Sequence, residues 1–416
     1  MMLSQIRKFG LEHCGLPTML WNVSVFLRVL TLNIDSKNKK AIPIYFYIIT
    51  IVGFLCYFYA YLVSVLWFVF VRIILEEEKL KPRNYMALCH NVQEYLFIMN
   101  TFKIFSDKIR SLTDAFLEFD THVVPGSRLS RNLLKYMRDV KKRAIFYWIV
   151  LMSNGVIYVL KPFVIGNQLT EDFLIVYGLE PTFESPNYEI TYVMMATSVI
   201  LICYTSANVT GYLIVIVGYA ESQILAFNDE MVYIWTDAET QYNAMVNNES
   251  NTENFKREDE AVRKNQIINK FVSIRLKDII KRHATVKNLI SQVEVVYREP
   301  LTIGFALLIL GLVLELLGGL ENTYLQLPFA FIQVGMDCFI GQKIMDAGVI
   351  FEQAVYECKW EKFDQVNMKM VFIMLQASQK TVAISAGGVT NMSFKFLMAA
   401  MRMTYSTYTA FRSTMK

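Results

Sequence analysis

The chain has 416 residues, of which 54% are hydrophobic, 14% aromatic and only 19% charged, with a net charge of +4. A soluble domain carries about a quarter charged residues, and several apolar runs here reach the length of a bilayer crossing. A soluble globular chain is therefore excluded, and the net charge gives no ground for nucleic-acid binding. The six cysteines (Cys14, Cys56, Cys89, Cys203, Cys338, Cys358) form no CxxC pair and read as buried free thiols. The four histidines are equally dispersed, so neither a metal nor a cofactor is expected.

In chain order, residues 1–41 form an N-terminal segment. Arg7 and Lys8 precede a moderately apolar run at 16–32, as in a signal peptide. No small-x-small cleavage site follows and Arg28 interrupts the run, so Pro17 and Trp21 point instead to a short amphipathic or re-entrant helix that is retained. Residues 42–219 hold four crossing segments, at 42–71, 85–105, 144–165 and 190–219. Segment two is polar for its class, with His90, Gln93, Glu94 and Lys103, and needs shielding by neighbours. Residues 220–300 form the largest polar part: 237–260 is acidic, Asn-rich and read as mobile, and from 262 the spacing of Ile267, Phe271, Ile274, Ile279, Val286, Ile290 and Val293 predicts a helix leading into segment five. Its apolar face suits either a small internal core or a surface that joins subunits. Residues 301–345 carry segments five (301–317) and six (324–345). At 346–381, Phe351, Ala354, Val355, Cys358 and Phe363 give a helical stretch an apolar face.

The loops set the orientation. Residues 1–40 hold six Lys/Arg against two acids, 128–143 seven against one, and 263–287 eight against one, whereas 166–189 has five acids and no Lys or Arg. The expected fold is therefore all-α, with seven transmembrane helices, a cytoplasmic N-terminus and a cytoplasmic helical anchor domain. No P-loop, Rossmann fingerprint, GxSxG or HExxH occurs, so an enzyme is not expected. The inside N-terminus and the lack of DRY and NPxxY triplets argue against a G-protein-coupled receptor.

Segment seven, within 382–416, is read as one apolar helix over 382–411 with a polar edge. Asn391, Lys395, Arg402, Ser406, Thr409 and Ser413 fall on one stripe at about 100° per residue. Polar groups at membrane depth face protein or a wet cavity, so this helix either pairs inside a bundle or borders a water-filled path. Gly387-Gly388 before it reads as a hinge.

Over its last third the chain resembles the insect odorant receptors. His283, Leu289 and Val293-Glu294-Val295-Val296-Tyr297 look like that family's run into its fifth helix. Ala354-Val355-Tyr356-Glu357-Cys358-Lys359-Trp360 looks like its AxYxxxW element. Ser378-Gln379-Lys380, Ala386-Gly387, Met392-Ser393-Phe394, Tyr405-Ser406 and Arg412-Ser413 follow its C-terminal signature in order. Thr381 stands where the family usually has proline, and Lys395 where it often has an acid. The TYxxxxxQ ending of gustatory receptors is missing, and the TYSTYTAFRSTMK tail differs from the VTYFMVLVQLK-like tail of the shared co-receptor.

The resemblance implies a ligand-tuning subunit of a heterotetramer with the co-receptor. It implies a ligand-gated, non-selective cation channel in the plasma membrane of a sensory-neuron dendrite. The ligand would be a small volatile molecule bound in the outer half of the bundle. Candidates there are His90, Gln93, Glu94 and Phe97 from segment two, Asn154 and Tyr158 from segment three, Tyr192, Met195 and Val199 from segment four, and Tyr324 from segment six. Tyr158 combines a ring with a hydroxyl, as such a site needs. For the gate, the polar stripe points to Ser406, Thr409 and Ser413. Alignment with the co-receptor tail points instead to Ala410, Phe411 and Thr414, which suit a dewetting constriction. The alternatives are a gustatory-type homomeric channel and, against the lack of internal repeats, a secondary transporter.

Overall fold

The computed structural model describes residues 8–36, 41–67, 106–165, 176–181, 184–249, 257–318, 326–380, 382–388 and 390–414. Helix α1 is Leu16–Val29, with Pro17 in the first turn, where its missing amide hydrogen would be unsatisfied anyway. Helix α2, Ile44–Tyr57, continues through a π turn at Phe58–Val63 into Ser64–Trp67. Helix α3 is Ser106–Thr121, α4 Arg128–Ile165, α5 Asn187–Val232 and α6 Ile234–Glu249. Helix α7, Arg257–Gly318, is 62 residues long, and α8 is Gln326–Glu357. Helix α9, Gln365–Ser378, leads to a hairpin of β1 (Ser385–Ala386) and β2 (Thr390–Asn391), and α10, Phe394–Thr414, follows. Among the described residues, three helices contain apolar stretches long enough to cross a membrane: Arg128–Phe163, Asn187–Val232 and Val262–Val313.

Helix α5 is the centre, packed by α1, α2, α4, α7 and α8. It is apolar on every side, the pattern of a helix buried all round. Several of its hydroxyls bond within the helix: Ser198, Thr205 and Ser222 each donate to the carbonyl four residues back, at 2.7 Å. These three hydroxyls thus add no unpaired groups to the buried helix. Gly218 lets α4 approach, since a Cβ there would run into the Val140 side chain.

The basic end of the bundle is held by buried polar contacts. Arg128 donates to Glu230 through Nε at 2.9 Å and to Asp237 through Nη1 at 2.9 Å, and Arg275 also pairs with Glu230. Burial alone would raise the Glu230 carboxyl, but the two guanidiniums override it and hold it below the usual range. Arg143 donates to Glu221 at 2.9 Å. Lys141, only 3% exposed, donates to the carbonyls of Lys8, Gly10 and His13 at 3.0, 2.7 and 2.7 Å. It thereby ties the N-terminal segment to α4.

Three expectations are corrected. The stretch at 237–260 is not simply mobile: Ile234–Glu249 is helix α6, seated by buried Ile234, Trp235 and Ala238. The helical stretch after segment six is not continuous. It breaks after Glu357, where Lys359 takes a left-handed φ of 58°, and restarts at Gln365 with Asp364 capping the Asn367 amide at 2.8 Å. The five apolar residues assigned to its inner face (Phe351, Ala354, Val355, Cys358, Phe363) are all buried. Finally, segment seven does not begin as helix at 382. Gly387 and Gly388, at φ 65° and 72°, sit in the turn of the β1–β2 hairpin, so the helix starts only at Phe394. Left-handed φ is where glycine is favoured, so the pair serves a turn rather than a hinge inside a helix.

Candidate ligand pocket and pore helix

Of the residues proposed to contact ligand, His90, Gln93, Glu94, Phe97 and Tyr324 lie outside the described residues. The other five lie on the α4–α5 pair. Asn154 and Tyr158 are half-buried on α4, Tyr192 and Val199 are half-buried on α5, and Met195 is buried in the core. Two contacts fix how these helices meet. The Tyr192 hydroxyl donates to the Val159 carbonyl at 2.8 Å, and its ring meets Phe163 edge-on at 5.4 Å. Pro162 lies beside this contact and brings no amide hydrogen to the helical ladder. Further along, Gly155 faces Cys203 so closely that a Cβ would overlap its sulfur. Tyr192 therefore acts as a tie between the helices, its hydroxyl already engaged. Tyr59, in the π turn after α2, also donates, to the Tyr177 carbonyl at 2.9 Å, so the segment after α4 is pinned over the same end.

Helix α10 is about 31 Å long at 1.5 Å per residue, enough to cross a bilayer. Its small and apolar edge packs on α7 and α8. Ser393, Ala400 and Thr404 are buried, and Phe396 meets Phe305 edge-on at 5.2 Å. The Thr404 hydroxyl donates to the Ala400 carbonyl at 2.9 Å. The whole proposed polar stripe is exposed: Lys395, Arg402, Ser406, Thr409 and Ser413 on the helix, and Asn391 in β2. Ala410 and Phe411 are exposed as well, and Thr414 closes the helix. Thr409 and Ser413 donate to the carbonyls of Ser406 and Ala410 at 2.8 and 2.7 Å, leaving oxygen lone pairs outward.

Below α10, the anchor is clamped by residues from distant parts of the chain. His283 of α7 stacks on Phe351 of α8 with centroids 4.5 Å apart. Burial, reinforced by the nearby Lys287 charge, pushes the imidazole down to about 4, so it is neutral at pH 7. His283 lies in the basic stretch of α7 at 263–287, ahead of the crossing read at 301–317. Asn367 of α9 donates to the Asn269 carbonyl at 2.9 Å, and Asn269 accepts from the Asp364 amide at 2.9 Å. Arg298 reaches the Gly387 carbonyl at 3.1 Å, and Ser385 bonds Glu294, so the hairpin is fastened to α7. The ion-pair network around Glu230 was not foreseen from sequence, because its partners lie 45 to 109 residues apart. Among the described residues no cluster could hold a metal ion.

Residues 86–405 match the 7tm Odorant receptor family. No curated protein matches the sequence. Among solved structures, the chain is similar to the insect olfactory receptor OR5 from Machilis hrabei, with a TM-score of 0.69, 13% identity, and 94% of this chain and 97% of that one covered. It is also similar to the same receptor in complex with eugenol, with a TM-score of 0.63, 14% identity, and 96% and 98% covered. At such identity the likeness speaks for the fold, while the family match spans most of the sequence. The chain belongs to the 7tm odorant receptor family and is a multi-pass membrane receptor, not an enzyme.

Proposed function

We propose that the chain is the ligand-tuning subunit of a ligand-gated, non-selective cation channel, assembled as a heterotetramer with the family's shared co-receptor in the dendritic plasma membrane. The observation that carries this reading is α10. One edge packs against its own chain, while a polar edge with two cationic and three hydroxyl side chains is left outside it. A membrane helix with such an edge needs water or neighbouring helices against it, and a pore between subunits supplies both. Ala410, Phe411 and Thr414 then form the outer constriction, as small or apolar groups do in gates that dewet.

The anchor supports assembly. Val349, Tyr356, Val366, Phe372 and Ile373 are large, apolar and exposed on α8 and α9, among charged residues. Large apolar side chains left exposed on two helices that pack together suit a protein contact. In this reading it joins subunits beneath the membrane, on the cytoplasmic side that the basic loops assign to it.

The ligand is a small, volatile, largely apolar molecule. The related receptor solved with eugenol, a compact phenol, supports that class. Here Tyr158, Asn154 and Val199 line the pocket together with His90, Gln93, Glu94, Phe97 and Tyr324, and Tyr192 and Met195 shape its wall. Ligand binding favours one packing of the outer helices and shifts the gate population toward open. The shift is limited by the differential affinity for the two states.

The test is whole-cell current from cells expressing this chain, with and without the co-receptor, against volatile esters, alcohols, phenols and terpenes. Ligand-evoked cation current only with the co-receptor is expected. Current from this chain alone would replace the tuning subunit with a homomeric channel. Tyr158→Ala should raise the half-maximal ligand concentration about tenfold, the loss of one ring and one hydrogen bond, with surface assembly unchanged. An unaltered dose–response curve would remove Tyr158 from the pocket.

A further inference from the structure

At the basic end of α4 and α5, away from the proposed odorant pocket, the two helices and α1 enclose a cavity of about 340 Å³. That volume is within the range of small-molecule sites. Its walls are mainly apolar, with Val23 and Phe26 from α1, Trp148 and Ile149 from α4, and Gly211 from α5. Ile145 and Ile149 are exposed on the apolar outer side of α4, so the cavity opens toward the bilayer.

Three polar side chains contribute to the lining: Asn22, Lys141 and Asn208. The Lys141 ammonium is engaged by three carbonyls, and the Asn208 amide donates to Tyr204 at 2.6 Å. Asn22 differs. It is 8% exposed and its amide donates to Lys8 at 3.1 Å, but its carbonyl oxygen Oδ1 is buried with no partner among the described residues. The indole Nε1 of Trp148 is buried and unpartnered in the same way. Phe26 stacks on that indole with centroids 5.6 Å apart. An acceptor and a donor thus remain unsatisfied on two residues of the lining, both atoms turned away from the void in this packing. Such groups cost free energy unless something pairs with them. A hydroxyl both donates and accepts.

We infer that this cavity is a second ligand site, which takes a small apolar molecule bearing a single hydroxyl from the bilayer, the Asn22 and Trp148 side chains turning to meet the hydroxyl. It does not rest on the outer pocket or on channel activity. Gly211 provides the means of testing it. A Cβ at that position would meet nothing within 4 Å, so a larger side chain grows into the void rather than into a neighbour. Gly211→Leu also replaces a poor helix former with a good one, so the fold should be kept.

The experiment is photolabelling of the purified full-length receptor with a diazirine derivative of octan-1-ol, read by peptide mass spectrometry. Adducts are expected in the peptides around Val23 and Trp148. They should fall about three- to tenfold, the worth of one hydrogen bond or more, in Trp148→Phe, which keeps the stacked ring but loses the N–H. They should be blocked by Gly211→Leu and by excess octan-1-ol, but not by octane. Absence of adducts at these peptides would overturn the inference, as would adducts that persist in Gly211→Leu. Equal displacement by octane, or unchanged labelling in Trp148→Phe, would overturn the role given to the hydroxyl. Labelling elsewhere on α4 or α5 reports the outer pocket separately.

Discussion

Helices α5 and α10 are both long enough to cross a bilayer, yet they are built in opposite ways. Along α5, from Tyr212 to Ile224, every residue is buried within the chain, and its hydroxyls are closed by the chain itself: Tyr212 and Tyr219 bond Thr113 and Asp120 of α3, and Ser222 donates to the Gly218 carbonyl. Along α10 burial is confined to an edge through Ala400 and Thr404, and the polar stripe faces away. The first helix is completed by one chain. The second is completed only by what lies outside it. A subunit divided in this way has a fixed centre and a helix free to take its final packing from an assembly.

The largest effect should come from breaking the α5 side. Glu230→Ala removes the buried carboxylate shared by Arg128 and Arg275, leaving Arg128 with Asp237 alone and Arg275 without this pair. Breaking such a buried pair costs about 3–5 kcal/mol, and the partial exposure of the two arginines places this case near the lower end. Thermal melting in detergent should drop accordingly and surface expression should fall. A melting point equal to that of the unaltered receptor would mean that the network contributes nothing.

A smaller effect acts on the α10 side. A Cβ at Gly341 of α8 would run into the Met392 carbonyl, and backbone cannot move aside as a side chain can. Gly341→Ala should cost about 1–3 kcal/mol by overpacking and displace the hairpin that leads into α10. Because α10 and not α5 moves, ligand-evoked current should change more than melting temperature. The reverse ranking would contradict the division between the two helices.

The smallest effect at neutral pH is at His283, in the clamp beneath α10. Its folded pKa of about 4 lies below the ordinary 6.5, so the unfolded chain binds more protons in this interval. Stability is therefore fully present above pH 6.5 and is lost as pH falls toward 4. His283→Phe should keep the stack on Phe351 and remove this part of the acid sensitivity. Identical melting-versus-pH curves for the two proteins would exclude His283 as its source.

The sequence makes α4, α5 and α7 plain because long apolar runs have few alternatives. The polar stripe on the last helix was legible for the same reason, since helical spacing alone predicts which residues share an edge. The hairpin before α10 was not legible. Strands of two residues carry no periodicity, and Gly387-Gly388 fits a hinge as well as a turn until Arg298 and Ser385 are seen to fasten it to α7. Helix α6 was hidden by its polar composition, for it is seated only by Ile234, Trp235 and Ala238 near its start. The cavity under α1 was beyond reach as well. Asn22, Trp148 and Gly211 carry no shared motif, and only the fold brings them together.

The most direct measurement is cysteine accessibility along α10 in receptors co-expressed with the co-receptor. Single cysteines at Thr404, Ser406, Ala410 and Phe411 would be exposed to a positively charged methanethiosulfonate reagent while ligand-evoked current is recorded. The account predicts that modification at Ser406, Ala410 and Phe411 reduces the current and that Thr404, buried against α7 and α8, does not react. Block at Thr404 with unchanged current at the three exposed positions would contradict it and turn the pore to the other face of the helix.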